Sequence, residues 1–156
     1  MKAIKYTAAV VLALSSALTM AGEIKDTVID ANNVKNTASG SGSKASQWVG
    51  VADGAGAKLS NVHVGAKNAQ NKASGSGSTA QQRIGVAAGN GQIKDTHVHA
   101  TNAKNTASGS NSFARQEIGV ASGNGKILNS TINAQQATNL ASGSNSDARQ
   151  KVGVAQ

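Results

Sequence analysis

Constant and variable residues alternate along one segment that occurs four times in the chain. In the third copy, every second residue from Ser112 to Val120 is Ser, Ala, Gln, Ile and Val in turn, and the other copies carry the same series with Val sometimes replacing Ile. The residues between them vary, as at Trp48, Arg83, Glu117 and Lys151. This period of two indicates a β-strand with one buried face, a separation that a helix does not produce.

The alternating segment belongs to a repeat of 34–35 residues, with units at 24–58, 59–92, 93–126 and 127–156. Periods of this length are typical of solenoids and stacked arrays. The first half of each unit alternates more loosely, so we interpret a unit as a strand arm, a turn, a second strand arm and a second turn. We therefore predict an all-β solenoid of four rungs, one per repeat, with equivalent residues stacked at about 4.8 Å and cross-β order in a fibre.

This register predicts which side chains face inward. Two inward amide ladders are expected, a Gln ladder of Gln47, Gln82, Gln116 and Gln150 and an Asn ladder of Asn36, Asn71, Asn105 and Asn139. The predicted apolar core consists of Ile29, Val64, Val98, Ile132, Val49, Ile84, Ile118, Val152, Val51, Val86, Val120 and Val154. Small Ala and Ser residues occupy the other inward positions, so the core is thin and the backbone hydrogen bonds supply much of its order.

Glycine marks the predicted turns, because it tolerates left-handed backbone conformations. The turn glycines are Gly40, Gly75, Gly109 and Gly143 between the arms, and Gly54, Gly89 and Gly123 between units. Outward columns carry complementary residues. The column of Trp48, Arg83, Glu117 and Lys151 predicts a cation–π pair and two opposite-charge pairs, and the column of Asp26, Asn61, Asp95 and Asn129 separates like charges by a neutral rung.

Residues 1–21 have the features of a secretory signal peptide. Lys2 and Lys5 precede an apolar stretch from Ala8 to Leu18, which is too short to span a membrane, and small residues lead to a predicted cleavage after Ala21. The mature repeat domain is then 22–156, without a membrane span. It has neither Pro nor Cys, so no residue blocks strand pairing and no disulfide stabilises it.

The ends of the repeat array lack the atypical polar caps that keep a solenoid monomeric. The first unit begins just after the predicted cleavage point, and the last ends at Gln156. Unpaired strand edges recruit other chains. We therefore expect a homopolymer formed through the terminal rungs.

The Ser, Asn, Gln, Gly and Ala repeats with alternating inward positions resemble the secreted functional amyloids of bacterial biofilms, the curli and Fap fibre subunits. The segment from Ile84 to Gln92, IGVAAGNGQ, resembles the end of a Fap repeat, and Gln82 and Asn71 resemble the inward amides of both families. The chain lacks the regular curli spacing, an extra residue pair in the Fap ending, and long linkers. The resemblance implies export through a dedicated outer-membrane route, nucleated assembly and a structural role in biofilm matrix.

No catalytic constellation stands out, and no cofactor is expected. The seven acidic residues form no recurrent pair that could divide acid and base roles. His63, His97 and His99 would lie close together on one outward face, which makes them a weak candidate for Cu or Zn, but a solvated strand face is the favoured interpretation.

Composition leaves two functions open. After removal of the signal peptide, 13 basic and seven acidic side chains give a net charge of +6. Such a surface attracts anionic polysaccharide, DNA or lipopolysaccharide, or simply keeps the protein soluble. We expect a non-enzymatic, secreted subunit of amyloid-like fibres for biofilm matrix or surface adhesion, located outside the cell or on its surface and served by export and nucleator proteins. The alternative is a soluble β-solenoid adhesin or other surface-binding module.

Overall fold

The computed structural model describes residues 21–155, which form sixteen β-strands. Each repeat forms one rung, defined here as one turn of the solenoid. Rung 1 contains β1 (Ala21–Lys25), β2 (Val28–Asn32), β3 (Lys35–Ser39) and β4 (Lys44–Val49). Rung 2 contains β5 (Asp53–Ser60), β6 (His63–Lys67), β7 (Gln70–Ser74) and β8 (Thr79–Ile84). Rung 3 contains β9 (Gln92–Lys94), β10 (His97–Thr101), β11 (Lys104–Ser108) and β12 (Phe113–Ile118). Rung 4 contains β13 (Lys126–Leu128), β14 (Thr131–Gln135), β15 (Thr138–Ser142) and β16 (Asp147–Val152). The predicted signal peptide lies outside the described residues, apart from Ala21 in β1.

Stacking of the rungs produces four parallel sheets. Their strand orders are β1-β5-β9-β13 (sheet A), β2-β6-β10-β14 (sheet B), β3-β7-β11-β15 (sheet C) and β4-β8-β12-β16 (sheet D). Pairing is in register: Phe113 lies between Thr79 and Asp147, and Gln82 pairs with Gln47. The predicted β-solenoid with one rung per repeat is confirmed.

The first half of each repeat is more finely divided than the two-arm interpretation suggested. It contains three short strands instead of one arm, because residues with positive φ bend the chain at seven-residue intervals. In rung 1 these residues are Asp26 (49°), Asn33 (55°) and Gly40 (119°). The equivalents in the other rungs are Asn61, Asn68 and Gly75, then Asp95, Asn102 and Gly109, then Asn129, Gln136 and Gly143. Asn, Asp and Gly are the residues that adopt this conformation most readily, so the Asp26 column marks a corner of the rung and not a strand face.

A further glycine corner corrects the predicted register at the end of sheet D. Gly50, Gly85, Gly119 and Gly153 all have φ of +62° or +63°, and they end the alternation after β4, β8, β12 and β16. Val51, Val86 and Val120 are buried, but they form a separate cluster with Trp48 and Val154. Ala52, Ala87 and Ala121 join the main core in their place. These valines are thus buried, but in a cluster separate from the one that contains Val49, Ile84 and Ile118, because the glycine reverses which residue faces the main core.

Two apolar clusters fill the interior. The main cluster joins sheet A, sheet B and the end of sheet D, and its fully buried members include Leu59, Ile93, Val64, Val98, Ile84 and Ile118. The column of Ile24, Leu59, Ile93 and Ile127 was missing from the predicted core. Between sheets C and D the core consists of alanines such as Ala73, Ala80 and Ala107, which allow the two sheets to approach closely. The inward residues of the central rungs are buried, and burial decreases in rung 4 and in sheets B and C of rung 1.

We expect Gly85→Ala to destabilise the solenoid more than Gly77→Ala. Both glycines are left-handed, at +63° and +68°, so either substitution should cost about 1–2 kcal/mol of backbone strain. A Cβ at Gly85 would also lie 2.6 Å from Val98 Cγ2, whereas at Gly77 the nearest atom is 3.9 Å away. Urea unfolding of both variants should therefore show about 1–3 kcal/mol of additional loss for Gly85→Ala. Equal losses would contradict the described packing of the corner against sheet B.

Candidate functional site

The Gln ladder is a continuous hydrogen-bonded chain through the interior of sheet D. Gln82 Nε2 donates to Gln47 Oε1 at 2.6 Å, Gln116 to Gln82 at 2.6 Å, and Gln150 to Gln116 at 2.7 Å. The Nε2 atoms of Gln82, Gln116 and Gln150 also donate to the carbonyl oxygens of Ala69, Ala103 and Ala137 respectively. The side-chain donors of Gln82, Gln116 and Gln150 therefore point toward the preceding rung, in the direction of rung 1.

The Asn ladder runs along sheet C in the opposite direction. Asn36 Nδ2 donates to Asn71 Oδ1 at 2.9 Å, Asn71 to Asn105 at 2.8 Å, and Asn105 to Asn139 at 2.8 Å. Each amide also reaches backbone oxygens of sheet D, as Asn71 Nδ2 does to Gln81 at 2.9 Å. The donors of this ladder point toward rung 4. The two ladders together give the stack a defined polarity.

Polar columns also follow two corners of each rung, and their side-chain hydrogen bonds were not predicted. Asn61 Nδ2 donates to Asp26 Oδ1 at 2.7 Å, and Asn102 donates to Asn68, which donates to Asn33, at 3.0 and 2.8 Å. The sequence signal that could have indicated these corners is the seven-residue spacing of Asn or Asp before each turn glycine. Ser78 and Ser112 add a buried hydroxyl contact of 3.1 Å at the predicted Ser column.

Rung 4 exposes ladder and core positions that the central rungs bury. Gln82 and Gln116 are fully buried, whereas Gln150 is exposed. Val152 is 43% exposed, although its equivalents Ile84 and Ile118 are fully buried. Leu128, Leu140 and Val28 are exposed as well. Three of these four residues, Leu128, Leu140 and Val152, belong to rung 4.

The strands of rungs 1 and 4 form the edges of all four sheets within residues 21–155. Strands in the middle of the stack bond to both neighbours, as shown by the 2.8 Å bond from Gly85 N to Val49 O and the 2.8 Å bond from Gly119 N to Ile84 O. A strand at either end has such a neighbour on one side only. Each end of the described stack therefore presents a row of unpaired backbone donors and acceptors on every sheet.

The outer face of sheet D carries a compact ion-pair cluster. The Arg83 guanidinium lies 5.5 Å from the centre of the Trp48 ring, and its Nε is 3.1 Å from Glu117 Oε2. Arg115 Nε donates to Glu117 Oε1 at 2.8 Å, and the Glu117 side chain is only 3% exposed. The cation–π pair of this column was predicted, but the second partner of Glu117 is Arg115 and not Lys151. Glu117 is therefore paired with an arginine of its own strand and with one from the neighbouring rung.

The three histidines lie together on the outer face of sheet B. His63 and His97 are register partners, His63 Nε2 is 3.9 Å from Asp30 Oδ1, and His99 Nε2 is 2.9 Å from Thr101 Oγ1. A groove of about 300 Å³ lies beside them, lined in part by Asp26 and Asp95. Among residues 21–155 no group of three His, Asp or Glu side chains is arranged to hold a metal ion.

The two amide ladders and the open rungs at their ends are therefore the candidate functional site. The part of the chain that the structure describes contains no helix long and apolar enough to cross a membrane. In comparisons with known proteins, no family model, no curated protein and no solved structure matches the chain.

Replacing Gln82 with Glu tests the Gln ladder, with Gln81→Glu on the outer face of the same strand as the matched control. The carboxylate introduced at Gln82 cannot donate to Gln47 Oε1 or to the Ala69 carbonyl, and it is buried, so we expect a loss of at least about 3 kcal/mol at pH 7. The same change at Gln81 should alter stability by no more than about 0.5 kcal/mol.

The loss should also depend on pH. Burial raises the pKa of the introduced carboxyl above its unfolded value, so the charge penalty grows as the pH rises above about 4 and disappears below it. Urea unfolding followed by circular dichroism, at pH 7 and at a pH below about 4, measures this change in the free energy of unfolding. A pH-independent loss, or equal losses for the two variants, would contradict the inward placement of Gln82.

Proposed function

We propose that this protein is a secreted structural subunit that self-assembles into amyloid-like fibres, for biofilm matrix or surface adhesion. It acts outside the cell or on its surface, and its main partner is another copy of itself. Export and nucleator proteins assist it. No chemical reaction is part of this role.

The observation that carries the proposal is that the exposed ends of the stack repeat its interior. Rung 1 and rung 4 end in the same ladder residues, Asn36 with Gln47 and Asn139 with Gln150, that are hydrogen-bonded rung to rung in the middle. Gln150 is exposed, Asn36 and Asn139 are half-buried, and Gln47 is buried. A further rung from another molecule would satisfy them in the same way. Stacked amide ladders between in-register parallel strands are a stabilising feature of cross-β assemblies.

Exposed apolar and backbone groups at the ends favour association as well. Burying Val152 beneath another rung would remove its 43% exposed surface from water. Eight edge strands, four at each end, add backbone hydrogen bonds without needing a new fold. Edges of this kind are normally blocked in proteins that remain monomeric.

The outer faces support a matrix role. Basic residues lie on all four sheets, including Lys25, Lys67, Lys72 and Arg83, and acidic residues are fewer. A fibre multiplies these charges along its length, which raises its avidity for anionic polysaccharide, DNA or lipopolysaccharide. The alternative, a soluble β-solenoid adhesin, would use the same faces without assembling.

Incubation of the purified chain without its predicted signal peptide (residues 22–156) separates these functions. We expect unbranched fibres after a lag phase, visible by negative-stain electron microscopy, with the lag removed by adding preformed fibre seeds. The physical reason is that the first stable stack must form before its ends can template further rungs. Protein that sediments as a monomer for days, over a wide range of concentrations, would instead support the soluble adhesin.

A further inference from the structure

The open ends of rungs 1 and 4 differ from each other in a way that specifies how two molecules would meet. Because the Gln donors point toward rung 1 and the Asn donors point toward rung 4, the two ends carry opposite groups. Rung 4 ends in the Gln150 carbonyl oxygen and the Asn139 amide nitrogen. Rung 1 ends in the Gln47 amide nitrogen and the Asn36 carbonyl oxygen. Donor therefore meets acceptor in both ladders only when rung 4 of one molecule meets rung 1 of the next.

At rung 1 the Gln47 amide is less well satisfied than those of the other rungs. Its Nε2 lies 3.3 Å from the carbonyl oxygens of both Val34 and Gln70, whereas Gln82 and Gln116 donate at 2.6 Å to the Gln of the preceding rung. Within residues 21–155 there is no preceding rung for Gln47. The Gln150 carbonyl oxygen of another copy would supply the kind of acceptor that Gln47 Oε1 supplies to Gln82.

The charges in the outward columns also favour contact between rung 4 of one molecule and rung 1 of the next. Following the pairing through all four rungs places Glu23 and Lys126 in one column, Lys44 and Asp147 in a second, and Trp48 and Lys151 in a third. Continuing each column into a second copy makes these residues neighbours across the junction. Two of the contacts join opposite charges, and the third places a cation beside an aromatic ring, as Arg83 already lies beside Trp48.

The remaining charged side chains of the terminal rungs would meet neutral neighbours. Across the junction, Lys25 would lie next to Leu128 of the other copy, Asp26 next to Asn129, and Asp30 next to Asn133. In the same way, Lys35 would lie next to Thr138, and Arg149 would lie next to Ser46. No like charges face each other at such a junction. The interior of the chain is less favourable, since Arg115 and Arg149 are direct register partners. Val152 would also cover Val49, as Ile118 covers Ile84.

We propose that rung 4 docks on rung 1 of a second copy, head to tail and in the same register as the internal rungs, which produces a polar fibre with one type of junction. This inference rests on the proposed function and adds the partner surface, its direction and its residues. Glu23–Lys126, Lys44–Asp147 and Trp48–Lys151 determine the register at the surface, and the Gln and Asn ladders determine the direction in the interior.

The test reverses the charges at the junction without disturbing pairs inside the molecule. Lys44 has Thr79 as its internal register partner and Lys126 has Gln92, both neutral. The double variant Lys44→Asp with Lys126→Glu therefore creates like-charge contacts with Asp147 and Glu23 only across the junction. The control, Lys72→Asp with Lys104→Glu, makes the same change in net charge on exposed positions of rungs 2 and 3, whose register partners are also neutral.

We expect wild-type seeds to be elongated at least about ten-fold more slowly by the junction variant than by the control, because two favourable pairs become repulsive. Elongation is measured by seeded growth at low ionic strength, and circular dichroism of each monomer checks that it is folded. Asp147→Lys places two lysines across the junction, and adding Lys44→Asp to it restores an opposite-charge pair, which should recover much of the rate lost by Asp147→Lys alone. Both of these variants lack the ion pair between Asp147 and Arg149, so its loss cancels in the comparison.

The outcomes separate this inference from the proposed function. If the wild-type chain forms no fibres, the proposed function fails. If wild-type fibres grow but the junction variant and the control elongate equally fast, the fibre remains and the head-to-tail junction described here is wrong. Failure of Lys44→Asp to restore growth in the Asp147→Lys background would also overturn the assigned register.

Discussion

The in-register hydrogen bonding of buried amides is the constraint on which the rest of the structure depends. Gln82 and Asn71 each satisfy their side chains through the equivalent residue one rung away and through backbone oxygens of the opposite sheet. A shift of one residue would turn these amides outward, and a shift of two would place them against alanine or isoleucine. Since an unsatisfied buried amide costs about 1–3 kcal/mol, the ladders exclude both alternatives. The alanine-rich interior between sheets C and D could not select a register by itself.

Because the core is thin, the stability of the fold depends mainly on backbone pairing between rungs. Alanine buries little apolar surface, so stability depends on backbone pairing between rungs that are 34–35 residues apart in sequence. Pairing over this distance requires the chain to turn at the same places in every rung, which the left-handed corners at Asn68, Gly75 and Gly85 provide. The corner residues and the ladders therefore act together. The corners set the length of each rung, and the amides align each rung with the next.

The sequence predicted which residues face inward where constant and variable positions alternate over a long strand. It did not predict the places where the chain bends. The six-residue strands of sheet D alternate for long enough to reveal their inward face, so the Gln column could be placed from the sequence. The five-residue strands of sheets B and C are interrupted by Asp26 and Asn33, whose polar character resembles that of an outward strand position. Their left-handed conformation is visible only in the folded backbone.

Two other features could not be predicted, because they depend on contacts and not on periodicity. Val51 falls on the expected inward period, but the conformation of Gly50 directs it to the cluster around Trp48. Glu117 occupies a variable outward position, and yet it is buried between Arg83 and Arg115. Period-two reasoning assigns a face to each residue, but it does not show which long side chains fold over that face.

The central claim is that the solenoid continues from one molecule into the next. Cryo-electron microscopy of the fibres measures it directly, through the axial rise per molecule. The account predicts a rise of about 19 Å, four strand spacings of about 4.8 Å, with each molecule contributing four successive rungs. A rise of about 4.8 Å per molecule would mean that each chain lies flat in a single layer, and it would contradict the account.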